Sequence, residues 1–339
     1  LSETYGGGGW EMDFEAQKRL VDWQCVLGVN FVNQHLSYYS LNGVRKFDYP
    51  PSFSYHEPWW EHYKLMGDYI GRISMAMSAG QQINNTLVLQ PTTSGWMYFS
   101  RKDKNLGIFR IRDGFKNLIY RMEQEHLEYD LGSENVIKTL GSVQGDKLTV
   151  GERDYSLVVI PKEMENIDSP TVEMLEQYLE NGGKILSFNQ NISRVDGEES
   201  TEAQELAARF PEHWIDVEQL EDPVALKMLR NDQFEMLDKT RNGMLYHQRR
   251  ELEDGQLLFL VNSHQTENAV ADISIYGKYV LKLDLITGKE YIYPSKVKNG
   301  KVSFQVELDP VGSALFVIID EKPDGLDKVI DLKSEKLVE

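Results

Sequence analysis

Between Phe14 and Leu27 the apolar positions Ala16, Leu20, Trp23 and Leu27 recur at helical spacing, which predicts a helix with its apolar face along that line. Gly28 stands where such a helix would end. Val29–Asn33 then reads as a short buried strand. Its end carries Gln34-His35 and a polar, aromatic loop through Tyr38, Tyr39, Lys46, Pro50 and Pro51. A second helix is expected after Pro58, through Trp59-Trp60 to about Ala79, closed by Gly80. The order is strand end, helix, strand, long loop, helix. That suits the last two units of a (β/α)8 barrel, where site residues sit at strand C-termini and on the loops that follow. Residues 1–85 are therefore expected to form the C-terminal part of a catalytic barrel.

The pattern then changes. Thr86–Leu89 and Ser156–Ile160 are continuous apolar strands, ended by Pro91 and Pro161. Between Pro170 and Asn181, Val172, Leu175 and Leu179 share one helical face, and Gly182-Gly183 closes it before the strand Lys184–Phe188. Buried strands alternating with amphipathic helices predict a flavodoxin-like parallel α/β domain over 86–238. From 239 to 321 short strands dominate: Leu257–Asn262, Ile273–Ile275, Val280–Asp284 and Leu315–Ile319. Asp254-Gly255, Thr287-Gly288, Asn299-Gly300 and Pro310-Val311-Gly312 punctuate them, which predicts a small antiparallel β-sandwich. Residues 322–339 open with Lys322-Pro323-Asp324-Gly325 and read as a linker or the start of a further domain. The fold class is α/β throughout.

Composition narrows the chemistry. In 339 residues, 36 Lys and Arg stand against 54 Asp and Glu, a net charge of −18. That balance disfavours nucleic acid and anionic membrane surfaces, both of which attract clustered basic residues. No run approaches the ~20 apolar residues of a membrane span. The single cysteine, Cys25, rules out an internal disulfide framework and lies in a predicted helix, away from any amidotransferase-like nucleophile position. No Gly-x-Gly-x-x-Gly or Walker A motif follows a strand, and no Lys-Ser/Thr follows Gly6–Gly9. The α/β domain is thus left with a structural or assembly role. The chain begins at Leu1 without an initiator Met or a signal-like segment, and is expected to open inside a larger domain.

Several residue sets then look familiar. Ser2-Glu3 at a strand end, Asp22-Trp23 in the next helix and Gly28-Val29-Asn30 before the next strand form one set. His35, Tyr39-Ser40, Pro50-Pro51 and Pro58-Trp59-Trp60 form another. Together they resemble the end of the catalytic domain in the α-L-rhamnosidase-type glycoside hydrolases of family 106. Leu260-Val261-Asn262, Asp284 with Thr287-Gly288, and Leu308 to Phe316 are similar to that family's following β-domain. The succession of domains is shared with β-galactosidase-type enzymes. The resemblance covers nearly the whole chain but lacks the earlier barrel strands and the partner carboxylate.

That resemblance implies an inverting glycoside hydrolase acting on α-L-rhamnosides in polysaccharides or glycosides, with Glu3 as the base that activates water. The acid would lie on a strand this chain does not contain, so the chain alone would be inactive. Trp10, Tyr38, Tyr39 and Trp59 offer faces that stack on a sugar, and His35 a group that bonds a hydroxyl or orients a carboxylate. Lys46, with Arg45, Asp48 and His56, would contact hydroxyls or an acidic sugar. Each has a plainer role open to it: a frayed end for Glu3, core packing for Trp59, a solvated loop for Lys46. The resemblance also implies a nearby calcium ion, although no Asp-x-Asp-x-Asp loop is present to bind one. It further implies a carbohydrate substrate and a periplasmic or secreted bacterial location. An incomplete barrel would expose apolar surface and favour oligomers. A retaining β-galactosidase-like enzyme and a non-catalytic carbohydrate-binding or assembly module remain alternatives.

Overall fold

The computed structural model describes residues 1–47, 53–102, 106–189, 192–322 and 325. The chain divides into two compact units. Leu1–Ile83 and the chain from Asp232 onward form one; Asn84–Asn231 forms the other.

The first unit opens with β1 (Ser2–Thr4), α1 (Phe14–Val26), β2 (Val32–Gln34) and α2 (Tyr63–Ser78). β1 and β2 lie parallel, with Glu3 opposite Asn33. Asp13 caps α1 by accepting from the Ala16 amide at 2.9 Å. The helix forms where its periodicity places it, but it buries a different face. Gln17, Val21, Asp22, Cys25 and Val26 are buried, whereas Ala16, Trp23 and Leu27 are exposed. Two of the buried positions are polar, so an apolar count alone misorients the helix. The tertiary structure supplies partners for both. Lys18 Nζ and the Tyr69 hydroxyl donate to Asp22 at 2.7 and 2.6 Å, and the Tyr63 hydroxyl donates to Gln17 at 2.8 Å. The expected strand Val29–Asn33 is likewise shorter and less buried: Phe31 is exposed and β2 begins at Val32.

Both helices pack on the larger of two antiparallel sheets. Its six strands run, in spatial order, Glu290–Ile292, Tyr279–Leu283, Ser313–Ile319, Gly255–Asn262, Leu245–Leu252 and Gln81–Gln82. Leu257, Phe259, Val261 and Leu315 meet Val21, Cys25, Met66, Ile70, Ile73 and Met77 of the helices. From the opposite face, Leu258, Leu260, Phe316 and Ile318 meet a four-stranded sheet whose contribution includes Phe234, Ile273, Phe304 and Val306. Gly255–Asn262 is therefore covered on both sides, which is why it reads as an unbroken apolar run. Ala269–Tyr276, covered on one side, alternates instead. Strand side chains also satisfy the helix C-terminal carbonyls. Gln248 donates to Cys25 and Val26 of α1, and Arg250 to Ala79 and Gly80 after α2. Segments expected as a barrel end and a separate sandwich thus share one hydrophobic core.

The second unit is a five-stranded parallel sheet in the order Trp214–Asp216, Lys184–Ser187, Leu157–Ile160, Thr86–Leu89, Asp130–Gly132. Numbered along the chain this is 5-4-3-1-2, a doubly wound order with its switch point between Thr86–Leu89 and Leu157–Ile160. Leu87, Val158, Ile160 and Ile185 face the helix Ser169–Glu180. Val88, Leu157, Val159 and Leu186 face the other way, toward Met122 of the helix Leu106–Gln124. Both faces are covered, as the continuous apolar strands require.

Candidate functional site

The C-terminal ends of β1 and β2 bring together the first two candidate residues. His35 Nε2 lies 4.0 Å from Glu3 Oε1; the Glu3 side chain is 67% exposed and that of His35 21%. Local backbone explains the approach. The His35 amide donates to the Thr4 carbonyl at 2.7 Å, continuing the parallel pairing by one residue. Tyr5 then turns with φ +73°, a left-handed conformation uncommon for a bulky side chain. The His35 ring lies against the next residue, Gly6, where a Cβ would come within 3.2 Å of it. Glycine at position 6 therefore admits the imidazole.

Beneath this edge lies a buried polar relay. The Tyr5 hydroxyl donates to the Gln17 carbonyl at 3.0 Å, and Gln34 Nε2 donates to the Tyr63 hydroxyl at 3.0 Å. Burial pushes both phenols above their usual range, with nearby Tyr63, Asp22 and Cys25 adding to the effect on Tyr5. Burial, reinforced by Asp22, pushes the Cys25 thiol up to about 12, so it is a core residue and not a nucleophile.

The chain leading into α2, from Phe53 on, is pinned onto Tyr63. Phe53 and Trp60 stack on its ring at 5.7 and 5.6 Å, and Phe14 meets it edge-on at 5.8 Å. Trp59 packs into the same core, edge-on to Phe14 at 6.4 Å, rather than presenting a free stacking face. Trp10 and Tyr38 are half-buried, and Tyr39 is fully exposed. Lys46 belongs to the single turn Gly43–Phe47, but its side chain and that of Arg45 lie outside the described residues, as do Asp48, Pro50 and Pro51. His56 accepts or donates at Nδ1 with the Ser54 hydroxyl, 2.9 Å away.

Two buried groups stand out, of which sequence reasoning passed over Glu57 and considered Trp59 only for its ring. Glu57 is 5% exposed, its Oε1 is buried with no hydrogen-bond partner, and burial raises its pKa. The Trp59 indole Nε1 is also buried without a partner. The sequence signal was modest: a carboxylate between His56 and Pro58, inside an aromatic cluster.

In the second unit, Glu134 is 4% exposed and its pKa is pushed up to about 7, chiefly by burial. It accepts from the Asp168 amide at 2.7 Å and the Thr93 hydroxyl at 3.1 Å. The neighbouring Ser94 hydroxyl accepts the Glu165 and Asn166 amides at 3.0 and 2.9 Å. These groups fasten the loops beyond the sheet to one another.

Among the described residues, no group of three or more His, Cys, Asp or Glu could hold a metal ion. No described helix is long and apolar enough to cross a membrane.

No protein-family model matches the chain, and no curated protein matches it. Solved structures do. A rhamnosidase from Novosphingobium sp. PP1Y aligns over 97% of this chain and 32% of its own length, at 16% identity and TM-score 0.70. An apo exo-carrageenase GH42 from Bacteroides ovatus aligns over 92% and 40%, at 12% identity and TM-score 0.55. A β-galactosidase from Bacillus circulans sp. alkalophilus aligns over 90% and 52%, at 10% identity and TM-score 0.59. The chain thus spans between a third and about half of each, and it has the fold of the corresponding parts of these glycoside hydrolases.

Proposed function

We propose that the chain is the C-terminal part of a glycoside hydrolase that cleaves α-L-rhamnosides with inversion. The observation that carries this reading is Glu3, a solvent-exposed carboxylate at the C-terminal end of a parallel β-α-β unit, beside His35. Active sites of (β/α)8 enzymes occupy that end of the strands. β1 and β2 pair only with each other among the described strands. Parallel pairs normally sit inside larger covered sheets, which suits strands drawn from the end of a barrel. In this mechanism Glu3 takes a proton from the water that attacks the anomeric carbon. An acid on another barrel strand protonates the departing oxygen. His35 orients the Glu3 carboxylate or holds a ring hydroxyl. The chain by itself would then be inactive, and its place would be periplasmic or extracellular, where polymeric substrates are met.

The test uses the whole protein with its complete barrel, with and without Glu3→Gln. Release of nitrophenol from an aryl α-L-rhamnoside should fall by roughly 10²–10⁴ in the variant. Cleavage of an aryl β-D-galactoside instead would assign the β-galactosidase type, in keeping with the similarity to that fold. Undiminished cleavage by Glu3→Gln would remove Glu3 from the chemistry.

A further inference from the structure

We propose that Glu57 and Trp59 form a sugar-recognition pair, in which the Glu57 carboxyl and the Trp59 indole N–H bond neighbouring hydroxyls of one sugar ring. The proposal rests on the glycosidase reading above and names how its site would select a substrate.

Two orphaned polar atoms two residues apart need an explanation. A buried donor or acceptor without a partner is destabilising, and most buried polar groups are paired. Elsewhere in this unit Gln17, Asp22 and Tyr69 have partners, and Gln248 Oε1, on a strand of the sheet, is a buried acceptor without one. Glu57 Oε1 and Trp59 Nε1 also have none. They are complementary, one an acceptor and the other a donor only. A vicinal pair of hydroxyls supplies what both lack, because each hydroxyl can donate and accept.

Position supports this. The segment belongs to the connection from β2 to α2, which begins at His35. It is held rigidly: the Glu57 amide donates to the Ser54 carbonyl at 2.9 Å, the Trp60 amide to the Glu57 carbonyl at 3.1 Å and the His62 amide to the Trp59 carbonyl at 2.9 Å. Phe53 and Trp60 clamp it to Tyr63, whose hydroxyl accepts from Gln34, one residue beyond the partner of Glu3 in the β1–β2 register. Polar groups fixed in this way discriminate strongly against a ligand that lacks the matching hydroxyl. Trp59 therefore serves through its N–H, while its ring remains in the core.

The experiment compares Trp59→Phe, which keeps an aromatic ring and removes the donor, and Glu57→Gln with the unaltered whole protein. Substrates are the aryl glycoside that it cleaves and the monodeoxy analogues of that glycoside. Each variant should raise KM about tenfold with kcat nearly unchanged. One deoxy analogue should lose about as much on the unaltered protein and no more on the variant. Equal losses on every analogue, or unchanged kinetics, would overturn the proposal, the former making the pair structural and water-bridged. If no aryl glycoside is cleaved, the glycosidase reading fails, and calorimetric titration with L-rhamnose and D-galactose decides the pair separately. Binding that Trp59→Phe weakens would uphold it, and absence of binding or binding unaffected by the variant would overturn it.

Discussion

The two parallel sheets of this chain begin from the same rule and end differently. In the second unit Thr86–Leu89 and Leu157–Ile160 are buried along their whole length, and the polar residues beyond them bond one another. Glu134, Thr93, Ser94, Asn166 and the Asp168 backbone leave little for a ligand. In the first unit, β1 and β2 are partly open, Glu3 is exposed, and the following loop buries a carboxyl and an indole N–H without partners. A parallel strand end is a place where chemistry can be built, but the fold alone does not say that it was. Satisfied polar groups mark architecture, and exposed or unsatisfied ones mark a function to be tested.

The largest test of that contrast is the loss of catalysis expected for Glu3→Gln. The corresponding change at the other strand end, Glu134→Gln, should leave turnover intact; a comparable loss there would collapse the distinction.

Next in size is the anchor of α1. Asp22 is buried between Lys18 and Tyr69, with Ser313 bridging the two donors. Asp22→Ala leaves the Lys18 ammonium facing carbonyl and hydroxyl oxygens alone, and should cost about 3 kcal/mol in urea unfolding. A loss below about 1 kcal/mol would mean that the helix is held by apolar packing instead.

The third test uses pH. Burial holds the Glu134 proton to about 7 in the folded protein, whereas an unfolded glutamate releases it near 4.3. Between those values the folded state binds more protons, so stability of the second unit should fall as pH rises through that window. Above about 7 the contribution should level off. Glu134→Gln should flatten the slope. A stability that rises over the same interval, read by thermal unfolding, would contradict the burial effect. Smallest of all is Tyr39→Ala. With a fully exposed side chain, it should leave Tm unchanged, and any effect should appear only in KM.

Much of the architecture was legible because burial on two faces writes continuous apolar runs. Leu157–Ile160, Lys184–Ser187 and Leu257–Asn262 could be placed from residue type alone. Helix α1 was legible in extent, through its periodicity from Phe14 and through Gly28, but not in orientation, because Gln17 and Asp22 are buried by partners 46 and 47 residues away. The strand-end placement of Glu3 and His35 was legible, because it is a local property. Glu57 was not, since the burial of a carboxylate depends on tertiary contacts that its local sequence does not carry.

By itself, then, the sequence determined the alternation of strands and helices, the acidic charge and the absence of a disulfide framework, all of which depend on local composition and spacing. Only the tertiary structure decided that residues 1–83 share a core with the C-terminal strands, which carboxylates are exposed or buried, and which polar groups find partners. Those outcomes depend on contacts between distant residues, and no local pattern encodes them.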